Sequence, residues 1–444
     1  MNSLTFQIQT ENPEFSTTKN TTIGNDLQVL LVGLNHKTAP LSIREQFAFR
    51  DDDISVLIPT FLECAQEVSV LSTCNRTEIY CVTENVENSA KFIISCLKTH
   101  SQDSSNEVDG YLYTKIGSDA ALHLFKVAAG LDSFIIGETE ILGQVRDALS
   151  SSYNYGGMKN SLSGLFNRAI RAGRRVRNET NIARNPLSVS SAGVQLAQKL
   201  LGPLQDMSVL LVGAGDAGQL VARSLKLAGV SKIIISNRTY GKAEELAKIL
   251  DGVAIEFSEI GSYLRSCNIL ISATDARDFI IGHQVIDSVF SERTEDLFIF
   301  DLAMPRDVDP VLSELKNIHL FNMDDLSDIA QDNLDLRKQS SSKAELVITQ
   351  ELTKFTEWWA TLDTASLVQA LRKESDNIRE RELLKTLRKL PGLDDESRKV
   401  LETLTHSIVN ALLHNPTEYL KKNSSTDDIV IFKKLFQIED GPES

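Results

Sequence analysis

Apolar positions along the first hundred residues change period several times. Residues 28–34 form a nearly continuous apolar run, as in a strand covered on both faces. Residues 42–49 and 52–66 instead space their apolar side chains as a helix does. Two further runs, Val68-Ser69-Val70-Leu71 and Ile79-Tyr80-Cys81-Val82, flank a polar stretch, which reads as strand, loop, strand. A helix near 89–98 follows. Strand, helix, strand, strand, helix predicts a small α+β unit of split βαβ type.

Helical spacing returns over 118–129, 138–150 and 165–184, with a Ser/Tyr/Gly/Asn loop over 151–163. Composition shifts at Asn185-Pro186-Leu187-Ser188. Apolar strands at 209–212, 233–236, 269–271 and 297–301 then alternate with helical segments, which predicts a doubly wound parallel sheet. From residue 324 onward strand signals fade. Leu352, Phe355, Trp358 and Trp359 fall at helical spacing, and Leu371, Ile378, Leu383, Leu384, Leu387 and Leu390 extend the stripe, followed by 400–413. Such a tail exposes more apolar face than it buries alone, so pairing with a second copy as a homodimer is expected. The chain thus reads as multidomain α/β. A disordered leader is expected over 1–26, a split βαβ-like α+β domain over 27–185, a Rossmann-type nucleotide domain over 186–325, and an all-helical domain over 326–440.

Composition narrows the classes. A hydrophobic content of 42% is that of an ordinary globular protein. No run of about 18 apolar residues is present, so no membrane span is expected. Five cysteines with no CxxC pair argue for a reducing, cytoplasmic setting and against disulfides or a thiolate metal site. The net charge of −15 means that any nucleic acid must meet a local basic patch. One candidate is 167–177, which carries five arginines and no acid; Arg168, Arg171 and Arg175 share a helical face suited to a phosphate backbone.

Two segments carry chemistry. Cys74 sits at the tip of the polar stretch Ser72-Thr73-Cys74-Asn75-Arg76-Thr77-Glu78, and a neighbouring cation such as Arg76 favours the nucleophilic thiolate. The second is Gly213-Ala214-Gly215-Asp216-Ala217-Gly218, placed between an apolar strand and a helix as a dinucleotide-binding turn requires. The next strand ends in Asn237-Arg238-Thr239 with no acid to hold a ribose 2′-hydroxyl, which favours NADPH. Ser272-Ala273-Thr274 ends a later strand with small residues, so a nicotinamide can come close at Ala273 and Thr274. A thiol and a hydride donor together suggest reduction of an acyl thioester to an aldehyde. His36 and His123 are the histidines in promising company for moving the proton.

The segments Leu71–Tyr80, Gly33–Pro40 with Ser42-Ile43-Arg44-Glu45, His123–Ser133 through Gly137-Glu138 and Gly143-Gln144, and Asp301–Pro310 together resemble the glutamyl-tRNA reductase family from Leu31 to about Lys422. The resemblance implies an NADPH-dependent reduction of glutamyl-tRNA(Glu) to glutamate-1-semialdehyde, the first step of tetrapyrrole synthesis, with Cys74 forming a glutamyl thioester. It implies that Thr73, Arg76, Ser133 and Gln144 hold the glutamyl group, with Glu78, Glu138 and His123 close by and His123 moving the proton. It further implies a V-shaped homodimer with a long spinal helix, and glutamate-1-semialdehyde aminomutase as a partner. After Gly137-Glu138-Thr139 the family usually has Gln or Arg; this chain has Glu140. The cofactor pattern alone also fits an NADP-dependent oxidoreductase of shikimate-dehydrogenase type, which needs no nucleophile, and a non-catalytic tRNA-binding relative is a third reading.

Overall fold

The computed structural model describes residues 27–100, 106–180, 182, 188–282, 295–390, 392–422, 431, 432 and 434–436. The expected leader and the expected boundary at 185/186 lie outside the described residues. The chain forms two compact units, Leu27–Trp359 and a second that includes Ala360–Ser444.

The first unit begins with β1 (Gln28–Asn35), α1 (Leu41–Arg44), α2 (Asp51–Phe61), β2 (Glu67–Ser72), β3 (Arg76–Thr83), α3 (Val86–His100) and β4 (Tyr113–Ile116). The strands pair antiparallel in the order β2-β3-β1-β4, the split βαβ arrangement. Successive side chains on a strand point to opposite faces. Val29, Leu31, Tyr80 and Val82 therefore face a core built with α4 (Ser118–Ala128), α5 (Glu140–Asn154) and α6 (Asn160–Glu179). Leu30, Val32, Leu34 and Ile79 face a second core under α2 and α3. Both faces are covered, which is why β1 is an unbroken apolar run.

Helix limits differ from the expectation: α2 stops at Phe61 and not near 66, and α6 stops at Glu179, where Thr180 turns extended. Residues 42–49 divide into α1 and a 3-10 turn, Glu45–Phe47. The loop expected at 151–163 is largely helical, because α5 continues to Asn154 and α6 starts at Asn160. Ser152 stays in the helix by bonding back to the Ala148 carbonyl at 2.7 Å. The start of α6 is capped from a distance: the Glu67 carboxylate accepts the backbone N–H groups of Lys159, Ser161 and Leu162 at 2.8, 3.0 and 2.9 Å. No local signal announces such a cap.

The unit continues through α7 (Val189–Leu201), β5 (Ser208–Val212), α8 (Asp216–Leu227), β6 (Lys232–Ser236), α9 (Tyr240–Leu250), β7 (Val253–Ile255), α10 (Ile260–Leu264), β8 (Ile269–Ser272), β9 (Leu297–Asp301) and β10 (Ile318–Phe321). These strands form a parallel sheet in the order β10-β9-β8-β5-β6-β7. The order reverses between β5 and β8, where such sheets open a ligand crevice. Apolar runs alone do not announce β7 and β10, which are short edge strands.

The helix α11 (Ser327–Lys389) begins in this unit, and its Ala344, Val347, Ile348 and Phe355 join the core of α4–α6. The arginine face expected to meet phosphate is engaged here instead. Arg171 and Arg175 pair with Glu351 at 2.9 and 2.7 Å, and the Arg168 guanidinium stacks 3.8 Å from the Trp358 ring centroid. These contacts tie α6 to α11, because α6 presents that face to another helix and not only to solvent.

In the second unit the end of α11 packs on α12 (Asp395–Lys422) through Leu367, Leu371, Leu413 and Leu420. An apolar groove of about 390 Å³ runs between them, lined by Ile378, Leu383, Leu401, Ile408 and Leu412. Leu404 and Leu412 remain 52% and 70% exposed, so this unit displays the unpartnered apolar stripe read from the sequence. Among the described residues no helix is long and apolar enough to cross a membrane.

Candidate active site

Antiparallel pairing of β2 with β3 ends at Ser72–Thr77, leaving Thr73, Cys74 and Asn75 in the turn. The turn is tightly held. The Thr73 N–H donates to the Arg76 carbonyl at 2.8 Å, and the Asn75 N–H donates to the Thr73 hydroxyl at 3.2 Å. Arg44, buried below, donates to the Cys74 carbonyl and to Asn75 Oδ1, both at 3.1 Å. The Asn75 amide in turn donates to Cys74 Sγ at 3.4 Å. Burial pushes the Cys74 thiol up to about 12, helped by the carboxylates of Glu138 and Glu140 and opposed by Arg44.

Arg76 does not activate this thiol. Residues 76, 78 and 80 of β3 share one face of the strand, and Arg76 turns toward Glu78 and away from the loop. Arg76 Nη1 lies 2.6 Å from Glu78 Oε1, while Nη2 meets Asp132 Oδ2 at 3.1 Å and the Asp132 carbonyl at 2.6 Å. Glu78 is wholly buried and also accepts from Tyr80 and Tyr113 hydroxyls, each at 2.6 Å, and lies 2.7 Å from His123 Nε2. Burial alone would raise its carboxyl; Arg76 and His123 overcome that and hold it well below the usual range. Lys37 holds the other side of Asp132. His36, packed edge-on to Phe134, is driven down to about 3 by burial and by Arg76 and Lys37, so it stays neutral.

The loop from α4 to α5 brings in the remaining residues. Ser133 lies against the Glu138 carboxyl, which burial raises to about 7. Arg177 of α6 fixes this loop by donating to the Glu138 and Thr139 carbonyls at 3.0 and 3.1 Å. Glu140 opens α5 and Gln144 follows one turn later on the same side.

The nucleotide end is built as its glycines require. Gly213 has φ +110°, a left-handed conformation open to glycine, and a Cβ there would run into the Ala273 carbonyl. A Cβ on Gly218 would strike the Gly213 carbonyl, so this glycine lets α8 close onto the turn. Gly215 has open space beside it, where a pyrophosphate can approach the backbone and the N-terminus of α8. Asn237 supports the turn, its Oδ1 accepting the Ala214 N–H at 3.1 Å, while Arg238 and Thr239 are exposed beyond it. Thr274 is anchored by Asp307, whose carboxylate accepts its hydroxyl at 2.6 Å and its N–H at 3.0 Å.

One cavity of about 490 Å³ joins the two ends. Thr73, Cys74 and Gln144 line it from the α+β side, and Ala217, Ala273 and Thr274 from the parallel sheet. Glu140 also faces it. The other expected residues divide: Arg76, Glu78 and His123 form the buried cluster, Ser133 and Glu138 the loop, and Asn237 the support of the glycine turn. Sequence reasoning passed over Arg50, which lines the cavity and donates to the carbonyl of Asp275 and, at 2.9 Å, to that of Ala276. Its partners lie more than two hundred positions away, and no local pattern reports them. Asp132 and Tyr113, which complete the buried cluster, were missed for the same reason. Among the described residues no group of three or more potential ligands could hold a metal ion.

A sheet of this order, with a glycine turn opening on such a cavity, is that of a nicotinamide-dependent oxidoreductase. Family models narrow the class. "Glutamyl-tRNAGlu reductase, N-terminal domain" matches residues 32–180, "Shikimate / quinate 5-dehydrogenase" matches 195–329, and "Glutamyl-tRNAGlu reductase, dimerisation domain" matches 343–438. The chain is 37% identical over 413 residues to a glutamyl-tRNA reductase of Carboxydothermus hydrogenoformans, covering 93% of this chain and 92% of that one. It is 38% identical to that of Pelotomaculum thermopropionicum, covering 92% and 93%. The solved glutamyl-tRNA reductase of Methanopyrus kandleri aligns with 32% identity and a TM-score of 0.51, over 92% of this chain and 98% of that one. The chain belongs to the glutamyl-tRNA reductase family.

Proposed function

We propose that this protein reduces the glutamyl ester of tRNA(Glu) to glutamate-1-semialdehyde with NADPH, releasing the tRNA and opening tetrapyrrole synthesis. The observation that carries the reading is the single cavity shared by Cys74 and the carboxyl ends of the nucleotide-binding strands. A nucleophile and a hydride site on one cavity serve a two-stage acyl reduction.

In the first stage Cys74 sulfur forms a bond to the glutamyl carbonyl carbon, and the bond from that carbon to the 3′-oxygen of the terminal adenosine breaks. The thiol proton ends on that oxygen, so the products are a thioester and free tRNA. When bound, NADPH supplies the hydride that turns the thioester carbonyl into an aldehyde and frees the sulfur. Gly213–Gly218 would receive the pyrophosphate, and Arg238 and Thr239 the 2′-phosphate, since no acid follows β6 to prefer a ribose hydroxyl. Thr73 and Gln144 line the cavity and hold the glutamyl group there with Ser133. Arg76 takes the glutamate carboxylate in exchange for Asp132, which Lys37 continues to neutralise.

The exposed apolar stripe of the second unit forms the homodimer contact, in line with its dimerisation-domain match. All five cysteines are free, which suits a reducing cytoplasm.

Incubation with glutamyl-tRNA and no NADPH should trap a glutamyl-enzyme after acid quench, and Cys74→Ser should abolish it. Added NADPH should then release the semialdehyde. An oxidoreductase of shikimate-dehydrogenase type would keep its activity in Cys74→Ser. Absence of NADPH oxidation with charged tRNA would overturn the proposal.

A further inference from the structure

Residues 41–50 belong to the α+β part of the first unit, yet their polar groups reach into the parallel-sheet part. The Leu41 N–H donates to Asp324 Oδ2 at 3.1 Å, and Arg44 pairs with the other oxygen of Asp324. Glu45 takes Arg306 in a two-bond fork at 2.9 and 2.5 Å. Arg50 donates to the carbonyls that follow Thr274. Asp324 sits in the 3-10 turn Met323–Leu326 after β10, and Leu326 of that turn is buried in the parallel-sheet core. Arg44 differs from its neighbours in what its other donors hold. Its side chain is 1% exposed. Nη1 reaches both the Cys74 carbonyl and Asn75 Oδ1 at 3.1 Å, and Nε reaches the Ala39 carbonyl at 3.2 Å. With its oxygen taken by Arg44, the Asn75 amide presents its nitrogen to Cys74 Sγ.

We propose that Arg44 is a positioning residue for Cys74, anchored by Asp324 of the nucleotide-binding part, a role that rests on Cys74 being the nucleophile. A buried guanidinium keeps its place only while its carboxylate partner stays. Its fork is rigid, so the anchor of Nη2 at Asp324 fixes where Nη1 lies, and with it the Cys74 carbonyl and the Asn75 amide. The charge of Arg44 also draws the Cys74 thiol down, against Glu138 on the α4–α5 loop and Glu140 at the start of α5; Arg50 and Asp275 line the same cavity. The nucleophile turn thus takes its shape from a residue of the cofactor-binding part, 280 positions from Arg44, before any cofactor binds.

The test is single-turnover formation of the glutamyl thioester without NADPH, a step that asks nothing of the nucleotide site, with rates taken per folded protein. Asp324→Asn should slow it about tenfold at saturating glutamyl-tRNA and leave the half-saturating concentration unchanged, as one partly solvated charged hydrogen bond would. Asp324→Glu should recover most of the rate. Arg44→Lys keeps a charge without the fork and should be slower still. Glu45→Gln breaks the neighbouring bridge to Arg306 without touching the turn, and should stay within about twofold of wild type. Alkylation of Cys74 by iodoacetamide, read by mass spectrometry at fixed alkaline pH, gives an independent sign. If Arg44 kept its place in Asp324→Asn, the lost negative charge would favour the thiolate and speed alkylation; the proposal requires alkylation to slow. Faster alkylation therefore overturns the role, as does a wild-type thioester rate in Asp324→Asn or Arg44→Lys. Equal losses in Asp324→Asn and Glu45→Gln also overturn it, because the effect would then belong to contact between the two parts at large. A wild-type protein that forms no thioester overturns the reading of Cys74 itself; one that forms it regardless of residue 324 overturns only the role of Arg44.

Discussion

Cys74 and Glu78 are four residues apart, the first half-buried and the second wholly buried, and their surroundings are opposite. Glu78 accepts from an arginine and two tyrosines, contacts a histidine, and is held ionised. Cys74 receives one amide donor, faces two carboxylates, and is held protonated. The turn explains the divergence. Once β3 begins, alternation commits residues 76, 78 and 80 to the face that packs on α4, whereas residues 73–75 belong to neither strand, and Thr73 and Cys74 line the cavity. The saturated carboxylate is held by its own partners and orients Arg76, whereas the unsatisfied thiol retains chemistry for a substrate to complete.

Breaking each side separately should separate the two roles. Cys74→Ser should abolish thioester formation, a loss of at least about a thousandfold in turnover, while thermal stability changes little. Glu78→Gln should act first on stability, and on thioester formation only through Arg76, the residue proposed to receive the substrate carboxylate. It strands Arg76 in a buried site with only Asp132 for company, at a cost of about 3–5 kcal/mol in stability, read by urea denaturation. The pH dependence has a definite sign. The carboxyl of Glu78 is lower in the folded state than in the unfolded one, so its contribution is present above the ordinary carboxylate value of about 4.3 and fades as pH falls below it. Wild type should therefore lose stability on acidification faster than Glu78→Gln, and equal acid slopes would refute the coupling.

Much of this organisation is legible in the chain. Apolar runs announce most strands of both sheets, period-3.6 patterns announce their helices, and the glycine turn announces where a dinucleotide sits. The turn with Cys74 is legible because apolar strands bracket it. What was not legible depends on contacts between distant segments. Arg76 reads as an activating cation until Asp132, 56 positions away, is seen to take its far side. The basic face of α6 reads as a phosphate site until Glu351 and Trp358 arrive from α11. The edge strands β7 and β10 are too short for periodicity to show. The cavity itself joins segments more than two hundred residues apart, and no local pattern encodes it.

Arginine sharpens the same contrast at the other end of the cavity. Arg76 is buried, doubly paired and held strongly protonated, whereas Arg238 stands exposed beyond the glycine turn. A cation kept in solvent at the end of the second parallel strand gains a charge-assisted partner when a 2′-phosphate binds, and gains none from a 2′-hydroxyl. Arg238→Ala should therefore lower kcat/KM for NADPH about tenfold and leave that for NADH unchanged, the size expected for one partly solvated charged hydrogen bond. The thioester trapped without cofactor should form at the wild-type rate in this variant, because Arg238 lies outside the cavity that holds Cys74. An unchanged NADPH-to-NADH ratio would move cofactor choice to another residue, and a slowed thioester would show that the two ends of the cavity are coupled through the turn that Asn237 supports.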